Sequence, residues 1–134
     1  MTATGLTLIR NSAFSALGLI LLAYGLAVIL TGQPDPVSPI IPGAASAITA
    51  LLVTATARAA TAKAARITWD ELTRSEWARA MQTGWWVAVW MYPVFGLALF
   101  TDLVTPAQTF AAMGTLTGAA PFLWFLLAWL RGRV

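Results

Sequence analysis

Apolar residues gather into four long runs along the chain, at residues 11–31, 37–57, 84–101 and 107–130. None of the four contains a Lys, Arg, Asp or Glu. Each is close to the roughly 20 residues that a helix needs to cross about 30 Å of hydrocarbon. A helix also satisfies its own backbone polar groups, which lipid demands. The pattern predicts an all-α integral membrane protein, a four-helix transmembrane bundle of two antiparallel hairpins in a single domain over residues 1–134. The first run is expected to be a retained helix, since it is too long for a signal-peptide core and no clear A-x-A cleavage pattern follows it.

The connections support this reading. Gly32-Gln33-Pro34-Asp35-Pro36 is turn-rich, with two prolines that cannot continue a helix. Thr105-Pro106 opens the fourth run, with proline in a first-turn position where its missing N–H costs nothing. The connection at residues 58–83 is longer and has a pattern of its own. Its alanine-rich start, through Arg66, favours continuation of the second helix. Thr68-Trp69-Asp70-Glu71 then reads as a capping box. Beyond it Trp69, Leu72, Trp77 and Met81 share one side of a helix, opposite Asp70, Arg74 and Arg79, while Glu76 interrupts the apolar side. This segment is predicted to be an amphipathic helix lying in the cytoplasmic interface.

Composition strengthens the membrane assignment and removes most chemistry. Hydrophobic residues make up 59% of the chain and charged residues 10%, against about a quarter charged in a soluble domain. The chain has no histidine and no cysteine. That excludes imidazole and thiolate metal ligation, disulfides and the commonest general base. No Gly-rich phosphate loop, nucleophile elbow or paired carboxylate is present. The expectation is a protein that is not an enzyme, with no catalytic residue, metal or cofactor.

The few charges carry orientation. All eight basic residues (Arg10, Arg58, Lys63, Arg66, Arg74, Arg79, Arg131 and Arg133) fall on one side of the four spans. The two remaining connections carry only Asp35 and Asp102. By the positive-inside rule both termini are cytoplasmic, as in a bacterial inner membrane. The basic residues form no dense run, so lipid is the expected partner and nucleic acid is not. With no ionisable residue inside a span, proton-coupled transport by a buried carboxylate is not expected.

Tryptophan and small residues remain. All seven tryptophans fall toward the basic side, and an aromatic belt at the headgroup level accounts for them. A sharper alternative is a ligand or partner surface formed by Trp85, Trp86, Trp90, Trp124 and Trp129, with Trp90 and Trp124 deepest. Asn11, Gly18, Gly25 and Gly32 recur every seven positions, Ser46 and Ala50 form an i,i+4 ridge, and Gly114 and Gly118 a GxxxG pair. Such small-residue ridges mark helix–helix contacts in lipid, within the chain or between chains. Pro93 and Pro121 are expected to kink their helices. Tyr24-Gly25-Leu26-Ala27 resembles Phe95-Gly96-Leu97-Ala98, a four-residue match that coincidence explains.

These features fit a non-catalytic subunit that packs against a larger transporter or energy-converting membrane complex. In architecture alone the layout resembles the small four-helix subunits of tripartite solute transporters. A homo-oligomeric channel or holin-like permeabilising protein is the alternative. A lipid- or pigment-binding scaffold built on the tryptophans is a weaker one.

Overall fold

A computed structural model describes residues 2–133. Within them the chain forms helices α1 (Ala3–Thr31), α2 (Ile40–Ala59), α3 (Ala62–Thr68), α4 (Glu71–Phe100) and α5 (Pro106–Leu130), and no strand. Four of these, α1, α2, α4 and α5, are long and apolar enough to cross a membrane. Each of the four apolar runs therefore becomes one helix.

The helix ends follow local chemistry. Gly32 closes α1 in a left-handed conformation (φ 68°), with its N–H bonded to the Val28 carbonyl. The Thr105 hydroxyl accepts from the Gln108 backbone N–H at 3.2 Å, and Gln108 Oε1 accepts from the Thr105 N–H at 2.6 Å. That is a complete capping box, with Pro106 in the first turn as the sequence predicts. The Gln108 amide also donates to the Gly32 carbonyl, tying the start of α5 to the end of α1.

Helices α1 and α5 form the central antiparallel pair, and glycine sets their separation. A Cβ on Gly18 would stand 2.9 Å from Phe122 Cβ and 3.2 Å from the Leu123 nitrogen. One on Gly25 would stand 2.7 Å from the Leu116 side chain and 2.8 Å from Thr115 Oγ1. The heptad glycines 18, 25 and 32 thus meet residues 122, 115 and 108, themselves spaced by seven. A shared seven-residue period keeps one seam facing along two helices. Leu17, Leu21 and Ala119 fill one part of this contact, and Tyr24, Val28 and Ala112 another, where Phe95 of α4 joins them.

The other long helices flank this pair. α4 lies on α5, with Gly84 against the Pro121 ring, 3.1 Å from the position a Cβ would take. α2 rests chiefly on α1 and buries only Thr49. Tyr24 and Phe95 enter the same apolar cluster, yet Gly25 is packed tightly while Gly96 meets nothing within 4 Å. The four-residue match therefore does not extend to equivalent packing. α4 and α5 run on as helix through Pro93 and Pro121.

Three expectations need correction. Helix α2 does not continue through Arg66; it stops at Ala59, Ala60 is extended, and the Thr61 hydroxyl caps a separate α3 by accepting from Ala64 at 3.3 Å. Thr68 is the last residue of α3 and caps nothing ahead of it; Asp70 is the N-cap of α4. Nor do residues 69–82 form a separate interfacial helix. From Glu71 they are the first turns of α4, because no helix-breaking residue precedes Gly84 and Trp77 has a packing partner in Phe14. At 30 residues α4 is roughly 45 Å long, more than the hydrocarbon thickness requires.

The small-residue ridges divide. Gly18, Gly25 and Gly118 sit at helix contacts, Gly118 with Leu21 3.4 Å from its Cβ position. Gly114 has no heavy atom within 4 Å of that position, and Ser46 and Ala50 are exposed. α2 turns Thr49 toward α1, which leaves the adjacent 46/50 ridge facing outward. Gly18→Ala should destabilise the protein by ~1–3 kcal/mol, because its new methyl meets backbone that cannot yield. Gly114→Ala should be neutral or stabilising by up to about 1 kcal/mol. Unfolding curves of both variants in detergent micelles check the pair.

Candidate functional site

The start of α1, α3, the first turns of α4 and the turn after α5 meet at one end of the bundle, where the basic residues are concentrated. Gly132 shapes this end. Its left-handed conformation (φ 67°) reverses the chain after α5, so that the Arg133 N–H bonds the Ala128 carbonyl at 2.9 Å. A left-handed residue one step past a helix is a Schellman-type ending that favours glycine. Here it folds Arg133 back toward α4.

Arg133 reaches Glu76. Its Nη2 lies 2.7 Å from Oε1, and Arg79 Nη1 lies 3.0 Å from the same oxygen. The indole Nε1–H of Trp124 donates to Oε2 at 3.4 Å. The Glu76 side chain is 0% exposed, whereas those of Arg79 and Arg133 are 54% and 40% exposed. Below this network Phe14, Trp77, Phe122 and Phe125 pack with ring centroids 5.2–6.0 Å apart. Such edge and offset contacts stabilise beyond their buried area, by ~0.5–1.5 kcal/mol per pair.

Arg10 forms a second buried charge, 2% exposed. Its Nε and Nη2 donate to Asn11 Oδ1 at 3.0 and 2.8 Å, and its Nη1 donates to the Thr68 carbonyl. The guanidinium also lies 5.0 Å from the Trp69 ring centre and 5.2 Å from that of Phe125, within cation–π range. Since arginine only donates, the Asn11 oxygen must face it. The Asn11 amide nitrogen is then left buried, with no acceptor among the described residues.

The predicted site residues do not come together as one surface. Trp85, Trp86 and Trp90 are exposed on the outside of α4, because that helix turns Ala80 and Gly84 inward. Trp86 and Trp90 border a shallow apolar groove with Val94. Trp124 is half-buried and engaged by Glu76, away from Trp90, and Trp129 is half-buried near the end of α5. Of the amphipathic segment, Trp77 and Trp69 take inward roles while Leu72 and Met81 are exposed. Of the neutral span hydroxyls, Ser46 bonds the Pro42 carbonyl at 2.8 Å and Thr115 that of Ala111 at 2.7 Å, each on its own helix. Thr109 Oγ1 is buried with no partner among the described residues.

Sequence reasoning missed Arg10 and Glu76 as buried charges. Arg10 stood one residue before a span and read as an orientation signal; Glu76 read as a break in an apolar face. Packing from α1, α3 and α5 encloses them, which hydropathy windows do not register. The signal was present in Arg131-Gly132-Arg133, where glycine after a helix turns the next arginine back. Among the described residues no group of three or more Asp or Glu could hold a metal ion.

The network ties α4 to the end of α5 by charge. Removing both arginines (R79A/R133A) strands a buried carboxylate and should cost ~3–5 kcal/mol. Glu76→Gln should cost less, ~1–2 kcal/mol, because the half-exposed arginines can turn to water. Denaturant unfolding of the two variants checks that order. Asp70 provides a pH test. Its carboxylate accepts from the Thr73 N–H at 2.8 Å, and that backbone bond holds its carboxyl below the usual range. The stabilisation is full above the ordinary carboxyl value and fades as pH falls through the lowered one. Asp70→Ala should cost about 1 kcal/mol at neutral pH, and its unfolding midpoint should converge on the unaltered protein's at low pH. Comparison with protein-family models, curated proteins and solved structures found no match to this chain.

Proposed function

We propose that this chain is a non-catalytic integral membrane subunit that packs against a larger membrane complex through the open flank of α2. The observation that carries this reading is the small-residue stripe on that helix. Gly43, Ser46, Ala50 and Thr54 are all exposed, and α2 buries only Thr49. Lipid does not reward small residues, whereas a neighbouring helix does, since they allow close backbone approach. The lack of histidine and cysteine, and the engagement of Glu76 by two arginines, support a role without chemistry. The concentration of basic residues at one end supports a cytoplasmic placement of that end and of both termini, in a bacterial inner membrane.

Extraction of the tagged chain in a mild detergent tests this. Larger, different membrane subunits should accompany it in fixed ratio, and Ala50→Trp should lower their recovery at least tenfold without changing the chain's own unfolding. Purification as a ring of identical copies would overturn the subunit reading in favour of a homo-oligomeric channel.

A further inference from the structure

Beside the Glu76 network, and sharing Arg133 with it, a cleft opens at the same end with a volume of about 190 Å³. Thr7, Arg10, Thr68, Asp70, Thr73 and Arg133 line it. Arg10 is the unusual member. It is 2% exposed, and no carboxylate among the described residues lies within 4.0 Å of it. Its recorded bonds use three of the five guanidinium N–H groups, on an amide oxygen and a backbone carbonyl. Two N–H groups have no acceptor among the described residues. The buried charge is met by the Trp69 and Phe125 rings and by Asp70 beyond 4.0 Å, with no carboxylate in contact.

We propose that this cleft is a phosphate site, taking a phosphate group between Arg10 and Arg133. The guanidinium fork matches phosphate oxygens. Arg10 supplies the charge with no carboxylate in contact, and Arg133, which also holds Glu76 at 2.7 Å, lines the same cleft. Asp70 is the carboxylate in the cleft, and the Thr73 N–H engages it as the cap of α4. The volume is several times the ~30 Å³ share of one water, which leaves room for a tetrahedral group. Thr7 adds a hydroxyl to the wall. The site opens at the basic end, where lipid headgroups and soluble phosphates are both within reach. It needs only this cleft and stands apart from the subunit reading.

Phosphorus NMR on the full chain in lipid-stripped micelles tests the site with two probes, inorganic phosphate and dihexanoyl phosphatidylglycerol. Dihexanoylglycerol, which lacks phosphate, serves as a competitor control. At least one probe should give saturable binding that dihexanoylglycerol does not displace. Saturation by the lipid alone identifies a headgroup site, and saturation by inorganic phosphate identifies a soluble-phosphate site. Arg133→Gln and Arg10→Gln should weaken binding at least tenfold, and Thr7→Val about threefold. Arg58→Gln, on an exposed residue outside the cleft, should leave it within twofold. If Arg10→Gln does not fold, Arg133→Gln and Thr7→Val decide the matter. Absence of saturation with both probes, or equal weakening by Arg58→Gln and Arg133→Gln, would overturn the proposal.

Discussion

Helices α1 and α5 approach closely because Gly18 and Gly25 present no side chain to Phe122, Thr115 and Leu116. Most of the other contacts inherit their register from that seam. It sets Gln108 against Gly32 at one end and brings Phe125 beneath Arg10 at the other. With α5 fixed against α1, its second flank is the surface on which α4 settles, through Gly84 and Pro121. In lipid no hydrophobic force drives helices together, so the closeness of such contacts decides which pairs persist. A shift of one heptad along the seam would separate Gln108 from Gly32 and Phe125 from Arg10 together.

The two ends of the molecule solve different problems. At the end holding Asp35 and Asp102, neutral caps close the helices: Gly32 and the Thr105–Gln108 box. At the basic end the helices are held by charge, through a buried carboxylate with two arginines and a buried arginine between aromatic rings. Breaking a buried ion pair costs more than the pair gains over a well-packed apolar substitute. Such a network therefore specifies one arrangement of α4 against α5 more than it adds stability.

Much of the fold was legible because four uncharged runs of near-span length admit few alternatives. The heptad of Asn11, Gly18, Gly25 and Gly32 was also visible, and it does mark the main contact. Its partner stripe, residues 108, 115 and 122, emerges only from the packing. Periodicity misled where it had no knowledge of neighbours. The amphipathic pattern from Trp69 to Met81 is real, yet its inward face meets Phe14. Ser46 and Ala50 looked like packing residues, and both are exposed. The tryptophans were grouped by depth along the chain, but depth does not give azimuth. Trp90 turns outward and Trp124 inward.

The turn at Gly132 has a consequence in time as well as space. Glu76 leaves the ribosome 57 residues before Arg133 (133 − 76), and its only early cation is Arg79, one turn ahead on the same helix. Until Arg133 is made, Glu76 lacks one of its two cations, and a carboxylate so placed is costly to bury. When the final turn forms, Arg133 arrives and the carboxylate can be enclosed. Enclosure of Glu76 at the basic end thereby depends on the turn that follows α5.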